Sequence, residues 1–499
     1  MGVLKKKLDL EDFISYSTSN KHIKLSKKQE QAVKESEKRV EGIVRKGHPV
    51  YGINTGFGAL CQKSINKTDI QRLQSNLIKS HACGVGDYLS KEETKSTMLL
   101  LINSLSKGYS GIRLSTLETL INMYNKDVLP AIPEKGSLGA SGDLIPLAHL
   151  ALVLIGEGEA YYKDKLMSGG NAMKSAGIKP VKLEAKEGLA LINGTHAITA
   201  ISSLNTYYAT QLSRTTDIIS AVSFEALEGI PDCLDPRIHN LKPHPGQKTT
   251  AYNIAKIIKG GNSAKKRKCC SSKVQDAYSI RCIPQVHGPV KDELDHIRRI
   301  IEIELNSITD NPLIFQNGSL SGGNFHGQYI AIAMDNFSST ITALASISER
   351  RIDRLMNHHK PFLISEPGLN SGLMIPQYLA AALLSENKVL VYPATNTSVP
   401  VSGNQEDYVS MAMTSALKAR TVLKNAEYIS AVELLCGTQG LEDCRKKGKG
   451  VQKAYDIVRT HVKPLKEDRI LYKDIEKLYG LVHDGILLKE VENEIGLLR

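Results

Sequence analysis

Apolar residues in the C-terminal three-fifths of the chain follow the spacing of long α-helices. One stripe recurs at intervals of mostly three and four residues, at Ile330, Met334, Phe337, Ile341, Leu344, Ile347 and Leu355. Residues 195–228 and 404–436 contain neither glycine nor proline, which favours unbroken helices there. Helices that are long and apolar on more than one side normally bury themselves in a bundle, often between subunits. Because strand patterns are few and short, we predict a mainly α fold with an oligomeric bundle core.

Three glycine-bearing stretches interrupt the N-terminal part of the chain. They are YGINTGFG at 51–58, HACGVG at 81–86 and GSLGASGD at 136–143. We interpret them as loops on a helical scaffold, where functional residues concentrate. This contrast predicts two domains: a loop-rich N-terminal active-site domain at 1–194 and a long-helix bundle domain at 195–499.

Two polar segments are predicted to be surface connections, at 158–178 and 259–273. The second carries the run Lys265-Lys266-Arg267-Lys268, which we interpret as a solvated basic loop. The chain has 64 Lys+Arg against 52 Asp+Glu, a net charge of +12, but only 7 Phe and no Trp. Single-stranded nucleic acid is bound by aromatic platforms beside a basic groove. The composition therefore disfavours a nucleic-acid partner.

The remaining composition indicates an intracellular protein. Apolar residues make up 41% and charged residues 23% of the 499 positions, as in ordinary globular proteins. The eight cysteines are sparse and never spaced C-x-x-C, which predicts reduced thiols in the cytoplasm. The start has lysines without a following apolar stretch, and the longest apolar run, 144–155, is too short to span a bilayer. These two features predict that the protein has no membrane partner. No metal, phosphate-loop or dinucleotide motif is apparent, so we also expect no metal.

The tripeptide Ala140-Ser141-Gly142 has a setting that suits a backbone reaction. It ends a glycine-rich loop and runs into a helical pattern, with Pro146 acceptable in the first turn. Small residues let one backbone amide fold back on a nearby carbonyl, and glycine supplies the torsions. The positive end of the following helix favours negative charge that develops there. From these residues alone, a helix cap with a tight turn remains an alternative.

The segment GSLGASGDLIPLAHL resembles the loop of the histidine and phenylalanine ammonia-lyase family. Other segments resemble blocks of that family in the same order: YGINTGFG, LQSNLIKSHACGVG, KEGLALINGT, VQDAYSIRCIPQV, TDNPL, GGNFHG and SGNQEDYVSM. The resemblance extends from Val50 to about Lys446. It implies a mainly α fold whose bundle core is of the fumarase/aspartase type. It also implies a homotetramer in which several subunits contribute to each active site.

The resemblance implies a cofactor made by the protein itself. In the family, the Ala-Ser-Gly triplet cyclises and loses water to form 4-methylidene-imidazol-5-one (MIO), so no external cofactor is expected. Removal of ammonia from an amino acid requires loss of a proton from the β-carbon, which is a poor acid. An electrophile near the amine supplies the electron sink for this step. The implied activity is that of a carbon–nitrogen lyase.

Four residues are implied to act around the MIO. Tyr51 resembles the tyrosine that abstracts the β-proton, for which its pKa must fall below the ordinary value near 10. Tyr278 resembles the tyrosine that contacts the electrophile and supports deprotonation. Asn193 resembles the asparagine that hydrogen-bonds the MIO carbonyl. Phe325 resembles the aromatic residue that packs against the ring.

Other residues are implied to bind the substrate. The guanidinium of Arg281 suits the α-carboxylate, and Gln275 is an orienting amide near the same ring. His81 and Met374 match the histidine-specific pattern, although tyrosine-specific relatives can also carry a histidine at the first position. Glu406 discriminates better, because an imidazole N–H can donate to its carboxylate, whereas a phenyl ring would leave that carboxylate unpaired. These residues indicate L-histidine as substrate and urocanate as product.

One position departs from the family pattern, and alternatives stay open. His196 follows Asn193-Gly194-Thr195 where histidine lyases mostly have glutamine. We interpret this as tolerance for either polar side chain. The same chemistry on tyrosine, phenylalanine or a histidine betaine, or a 2,3-aminomutase that returns the ammonia, is the alternative function. A catalytically inactive scaffold is a third hypothesis, which Tyr51, Ser141 and Arg281 disfavour.

Overall fold

The structure, a computed structural model, describes residues 2–19, 21–264, 273–358 and 360–499. The predicted basic loop at 265–268 lies outside the described residues. The α-helices are α1 (Leu10–Thr18), α2 (Lys27–Lys46), α3 (Ile70–His81), α4 (Lys91–Leu105), α5 (Leu114–Asn125), α6 (Leu144–Leu154), α7 (Gly169–Ser175), α8 (Glu187–Ile192), α9 (His196–Ala226), α10 (Pro236–Leu241), α11 (Pro245–Ile257), α12 (Tyr278–Arg281), α13 (Ile283–Glu304), α14 (Gln328–Met356), α15 (Met374–Leu390), α16 (Ala412–Gly440), α17 (Lys449–His461), α18 (Tyr472–His483) and α19 (Ile486–Ile495).

Strands are short and belong to small sheets. They are β1 (Gly2–Val3), β2 (Ile23–Lys24), β3 (Val85–Tyr88), β4 (Leu129–Pro130), β5 (Pro133–Lys135), β6 (Glu159–Tyr162), β7 (Lys165–Ser168), β8 (Leu313–Phe315) and β9 (Gly318–Leu320). Strand β1 pairs in parallel with β2, and the pairs β3–β5 and β8–β9 are antiparallel. Strand β6 lies between β4 and β7 in an antiparallel sheet. The predicted mainly α fold is confirmed.

Most of the predicted long helices are present. Helix α9 fills the glycine- and proline-free segment 195–228, and α14 contains the apolar stripe, of which Ile330, Met334 and Phe337 are fully buried. Helix α14 is long and apolar enough to cross a membrane by composition alone. However, 67% of its most apolar 18-residue window is buried inside the protein, which is typical of a core helix.

The helix predicted to begin at Asn404 begins instead at Ala412. Residues 404 and 411 adopt positive φ angles of 65° and 58°, which no helix accommodates. Two contacts hold this stretch in a loop: Met411 N donates to Leu138 O at 2.8 Å, and Ser410 Oγ donates to Gly139 O at 2.9 Å. The prediction was wrong here because tertiary hydrogen bonds override local helix propensity.

The polar segment 158–178 lies largely at the surface, but it is regular. Strands β6 and β7 form a hairpin, and α7 follows directly. The two turn residues, Lys163 and Asp164, both have positive φ angles, 50° and 63°, as a tight two-residue hairpin turn requires. Aspartate tolerates this conformation better than most residues, so the sequence could have predicted a turn at this position.

The chain forms two compact units, each assembled from three stretches. The first comprises 1–204, 298–335 and 393–417, and the second comprises 205–297, 336–392 and 418–499. Helices α9, α13, α14 and α16 each begin in one unit and end in the other. The units therefore do not follow the boundary at residues 194 and 195 that the change of sequence character suggested.

Candidate active site

A cavity of about 770 Å³ in the first unit is lined by seven residues that the sequence analysis singled out. They are Tyr51, His81, Ala140, Ser141, Asn193, Phe325 and Glu406. A second cavity, of about 300 Å³, shares four of them and adds Gly142. Residues separated by up to 355 positions are thus brought around one space.

The Ala140-Ser141-Gly142 loop is held by a close contact between two glycines. Gly142 has a φ angle of 74° and forms an isolated β-bridge with Gly194. A Cβ atom on Gly142 would lie 2.3 Å from Gly194 O, so only glycine fits. Ser141 is half-buried at the cavity wall, and Ala140 is buried. The backbone is thus bent at Gly142, and Ser141 faces the cavity. This arrangement suits formation of an MIO from the three residues.

Asp143 fastens this loop to the start of α9. Its backbone N–H donates to Gly194 O at 2.8 Å, and its fully buried carboxylate accepts from Ser137 Oγ at 3.0 Å and from Ile198 N at 2.8 Å. Burial raises the pKa of this carboxyl to about 7, and the hydrogen bonds from Ile198 N, Ser137 Oγ and Ala197 N oppose that rise. Asp143 precedes α6 but makes no side-chain cap to it. The simple helix-cap alternative therefore does not describe the Asp143 side chain.

Tyr51 lies on an irregular loop that a small core supports. Ile53 is fully buried and packs with Val40 and Ile314, and the Asn54 side chain closes the loop through Val50 N (2.7 Å) and His48 O (3.0 Å). Burial raises the pKa of Tyr51, and the charge of Glu406 adds to this. A backbone hydrogen bond at Gly58 acts the other way, but the net shift is away from the low pKa that a phenolate base requires.

His81 and Glu406 both line the cavity, and both are half-buried. His81 Nδ1 lies 2.8 Å from Leu77 O, and because a carbonyl only accepts, this bond requires the proton on Nδ1. Burial lowers the pKa of His81, so its neutral ring offers Nε2 as an acceptor. Burial raises the pKa of Glu406, because the charged carboxylate has lost hydration. A hydrogen-bond donor on a ligand would therefore stabilise the charged form.

Asn193 is positioned at the end of α8 by residues that the sequence analysis did not single out. Its Nδ2 donates to Asn311 O at 2.9 Å, and its Oδ1 is buried without a hydrogen-bond partner in the described part of the chain. Gln74 Oε1 accepts from Gly188 N at 2.8 Å, which ties α3, the helix of His81, to α8. Gln74 and Asn311 stand inside the quoted motifs LQSNLIKSHACGVG and TDNPL, which was the available signal.

Gln275, Tyr278, Arg281 and Met374 belong to the second unit and do not line this cavity. Tyr278 and Arg281 are the first and last residues of α12, and the guanidinium carbon lies 4.9 Å from the centre of the tyrosine ring. Arg281 Nε is buried without a partner among the described residues. Tyr278 and Gln275 are exposed, and Met374 begins α15.

His196 is buried behind Gly194. Both ring nitrogens lack a hydrogen-bond partner within the described residues. Burial lowers the pKa of His196 to about 3, and the charge of Lys107 adds to this. The side chain does not line the cavity, so it is placed to support the loop at Gly194 and not to contact a ligand.

The second unit contains a cavity of comparable volume, about 660 Å³, near the C-terminal ends of α9, α14 and α16. None of the residues implied by the resemblance line it. Within the described ranges, no group of three or more His, Cys, Asp or Glu side chains is arranged to hold a metal ion. The motif residues therefore single out the cavity of the first unit.

Comparison with known proteins agrees with the motifs. Residues 8–460 match the model of the aromatic amino acid lyase family. This chain belongs to the aromatic amino acid lyase family. It is 48% identical to histidine ammonia-lyase of Caldanaerobacter subterraneus and 49% identical to that of Alkaliphilus oremlandii, with 98% of each chain covered in both cases.

Solved structures of family members have the same fold. Histidine ammonia-lyase from Trypanosoma cruzi is 38% identical, with a TM-score of 0.91 over 99% of this chain and 95% of that chain. Tyrosine aminomutase from Streptomyces globisporus is 34% identical, with a TM-score of 0.95 over 100% and 99% of the two chains. The fold is therefore shared by lyases and aminomutases, and the choice of reaction depends on the site.

Proposed function

We propose that the protein is a histidine ammonia-lyase, which eliminates ammonia from L-histidine without oxidation and releases trans-urocanate, the first step of histidine degradation. The observation that carries the proposal is the one cavity lined by Tyr51, His81, Ser141 and Glu406. Relatives of that name that are 48–49% identical over nearly the whole chain support it.

The MIO formed from Ala140-Ser141-Gly142 is part of this proposal. When formed, it supplies an electron sink beside the substrate amine. The chain's own contribution is a bent backbone: the bridge between Gly142 and Gly194 and the bond from Asp143 N to Gly194 O hold the loop in place. Ser141 lies at the cavity wall, where a substrate has access to it. No external cofactor is needed.

Tyr51 is proposed to take the β-proton. Since burial and Glu406 raise its pKa, the phenol is protonated at neutral pH unless a positive group comes close. Arg281, paired with Tyr278, is proposed to supply that charge and to bind the α-carboxylate. Both belong to the second unit, so we assign them to a neighbouring subunit of a homotetramer.

The imidazole ring is proposed to be recognised by His81 and Glu406. A substrate N–H can donate to the Glu406 carboxylate, which burial leaves in need of a partner. A phenyl ring would offer no donor, at a cost of about 1–3 kcal/mol for the unsatisfied group. This favours histidine over phenylalanine; against tyrosine, whose phenol can also donate, the proposal rests on the histidine ammonia-lyase relatives. Met374 and Gln275 are assigned to the pocket of the assembled enzyme.

Exposed apolar side chains support the homotetramer. Val274 and Tyr278 beside Arg281 are 88% and 72% exposed, and Ile375 and Tyr378 beside Met374 are 60% and 65% exposed. Large exposed apolar patches mark interaction surfaces. The proposed site residues of the second unit therefore lie where a subunit interface is expected. We place the assembled enzyme in the cytoplasm, without a membrane or nucleic-acid partner.

A substrate panel tests the proposal. L-Histidine, L-tyrosine, L-phenylalanine and a histidine betaine are each followed by ultraviolet absorbance of the conjugated acid, ammonia release and chromatography of β-amino acids. We expect turnover of histidine with urocanate and ammonia in equal amounts. Turnover of another substrate alone, or a β-amino acid product, would contradict the assignment. Sedimentation should give a tetramer, and a fully active monomer would refute the shared site.

A further inference from the structure

A fully buried lysine, Lys186, immediately precedes α8, the helix that Asn193 follows. Its Nζ donates to both carboxylate oxygens of Asp310, at 3.0 and 2.8 Å. The two side chains are 0% and 2% exposed. Burial lowers the pKa of Lys186 and raises the pKa of Asp310, and each partner's charge opposes the shift of the other.

The two residues on either side of Asp310 hold the segment from Asn193 to Thr195. Thr309 Oγ1 accepts from Thr195 N at 3.1 Å, and Asn311 O accepts from Asn193 Nδ2 at 2.9 Å. Between them, the carboxylate of Asp310 accepts from Asn311 N at 2.6 Å. The carboxylate therefore helps to fix the backbone at Asn311, the residue whose carbonyl binds Asn193.

The Asn311 carbonyl in turn orients the amide of Asn193. Because Nδ2 is committed to this carbonyl, Oδ1 must lie on the other side of the amide, where it is buried and without a partner in the described part of the chain. Asn193 lines the cavity, and Gly194 accepts from Asp143 N beside the Ala140-Ser141-Gly142 loop. These contacts thus link the ion pair to the cavity through Asn193 and to the Ala140-Ser141-Gly142 loop through Gly194.

Neither stability nor direct chemistry accounts for the ion pair. Replacement of a buried ion pair by apolar residues of similar size is often neutral or stabilising. Lys186 also adopts a left-handed backbone with a φ angle of 71°, which costs about 1–2 kcal/mol for a non-glycine residue. Neither side chain lines the cavity, so neither touches a substrate there.

We propose that Lys186 and Asp310 are positioning residues for the Asn193 amide and the Gly194 backbone, and through them for formation and use of the MIO. The inference rests on the proposed function, because that function assigns the MIO and the role of Asn193. The pair acts through the segment from Thr309 to Asn311 and not through contact with reacting atoms.

The test removes both charges at once, so that no unpaired charge stays buried. Lys186→Met with Asp310→Asn is compared with wild type and with Arg351→Met plus Glu433→Gln in the second unit. The control pair is equally buried, with Nε to Oε1 at 2.6 Å, and lines none of the three cavities described above. Readouts are the fraction of protein that carries the MIO, from intact mass and ultraviolet absorbance, then kcat and KM for histidine, and the thermal midpoint.

We expect the Lys186/Asp310 double variant to lose MIO content, or kcat by about 10²-fold, since a displacement of about 1 Å has that effect on a reacting geometry. KM should stay within about 3-fold, because no substrate contact is removed. The control should keep MIO content and kcat within about 3-fold despite a similar loss of thermal stability. The single variant Lys186→Arg, which keeps the charge and the donors, should lie between wild type and the double variant. Asp310→Asn keeps the size of the side chain but leaves Lys186 without its charge partner, so it should lose at least as much thermal stability as the double variant.

Wild-type MIO content and kcat in the double variant, with only a lower thermal midpoint, would overturn the inference and leave the proposed function standing. If the double variant fails to fold, Lys186→Arg decides: unchanged MIO content and kcat overturn the inference, and a loss of more than about 10-fold in kcat with unchanged KM supports it. Absence of the MIO from wild type would overturn the proposed function together with this inference.

Discussion

Replacement of Gly194 by alanine tests whether the backbone contact behind the Ala140-Ser141-Gly142 loop controls the chemistry. Gly194 has a φ angle of 123°, and a Cβ atom there would lie 2.6 Å from His196 Cε1 and 2.6 Å from Thr309 Oγ1. Ordinary contact begins at about 3.4 Å, so the Gly194 backbone, the His196 ring and the Thr309 side chain must together give way by about 0.8 Å. Because His196 and Thr309 are buried, we expect the backbone to take up much of this movement, which would weaken or break the 2.8 Å hydrogen bond from Asp143 N to Gly194 O.

The expected cost follows from these two effects. Overpacking of a well-packed core costs about 1–3 kcal/mol, and the lost backbone hydrogen bond about 1 kcal/mol. The strain of a positive φ angle in alanine adds to these two costs. A control variant at another glycine with a similar φ angle carries the same strain, so the comparison cancels it. Gly318 has a φ angle of 131° and no atom within 4 Å of its would-be Cβ. Relative to Gly318→Ala, Gly194→Ala should therefore destabilise the protein by about 2–4 kcal/mol.

The catalytic effect should be larger than the loss of stability suggests. A displacement near 1 Å in a reacting geometry costs about 10²-fold in rate. The assay is the kcat for histidine together with MIO content by intact mass, each for Gly194→Ala and for Gly318→Ala. If the two variants agree within about 3-fold in kcat and in MIO content, the contact between Gly142 and Gly194 does not control the loop.

Three further predictions concern residues of the first unit. Ser141→Ala should abolish the MIO signal and lower kcat by at least about 10³-fold, equivalent to about 4 kcal/mol, while circular dichroism stays unchanged; wild-type turnover would remove the central claim. Glu406→Gln should lower kcat/KM for histidine by about 10- to 100-fold through loss of a charge-assisted hydrogen bond, and equal losses on phenylalanine would mean that Glu406 does not recognise the imidazole. His196 has a pKa of about 3 when folded and about 6.5 when unfolded, so the folded state loses stability as pH falls below 6.5. Relative to wild type, His196→Gln should therefore gain about 2 kcal/mol in unfolding free energy between pH 7 and pH 5, measured by urea titration, and no relative gain would contradict the burial of a neutral imidazole.

Much of the helical architecture follows from local sequence pattern. The apolar stripe of α14 and the glycine-free segment of α9 report directly on helix periodicity, and both helices are present. Helix α16 shows the limit of such reasoning, because absence of glycine and proline permits a helix without requiring one. Ser410 and Met411 bind the loop at Leu138 and Gly139, and only the folded chain brings these partners together.

The candidate site, like the helices, could be predicted only in part from the sequence. Motifs with recognisable order identified Tyr51, His81, Asn193 and Glu406 as residue types suited to the reaction, without any distance between them. Gly194 and the pair Lys186–Asp310 stand in the same motifs, but a charged residue in a motif carries no sign of whether it is buried or what it contacts.

The sequence by itself determined the helical class, the family and the chemical groups available for catalysis, because periodicity and motif order are local properties of the chain. Only the tertiary structure decided which of these groups share a cavity, which glycines admit close backbone contact and how burial shifts the pKa of Tyr51 and Glu406. Those properties depend on distances between residues such as Lys186 and Asp310, 124 positions apart, and on the exclusion of water between them.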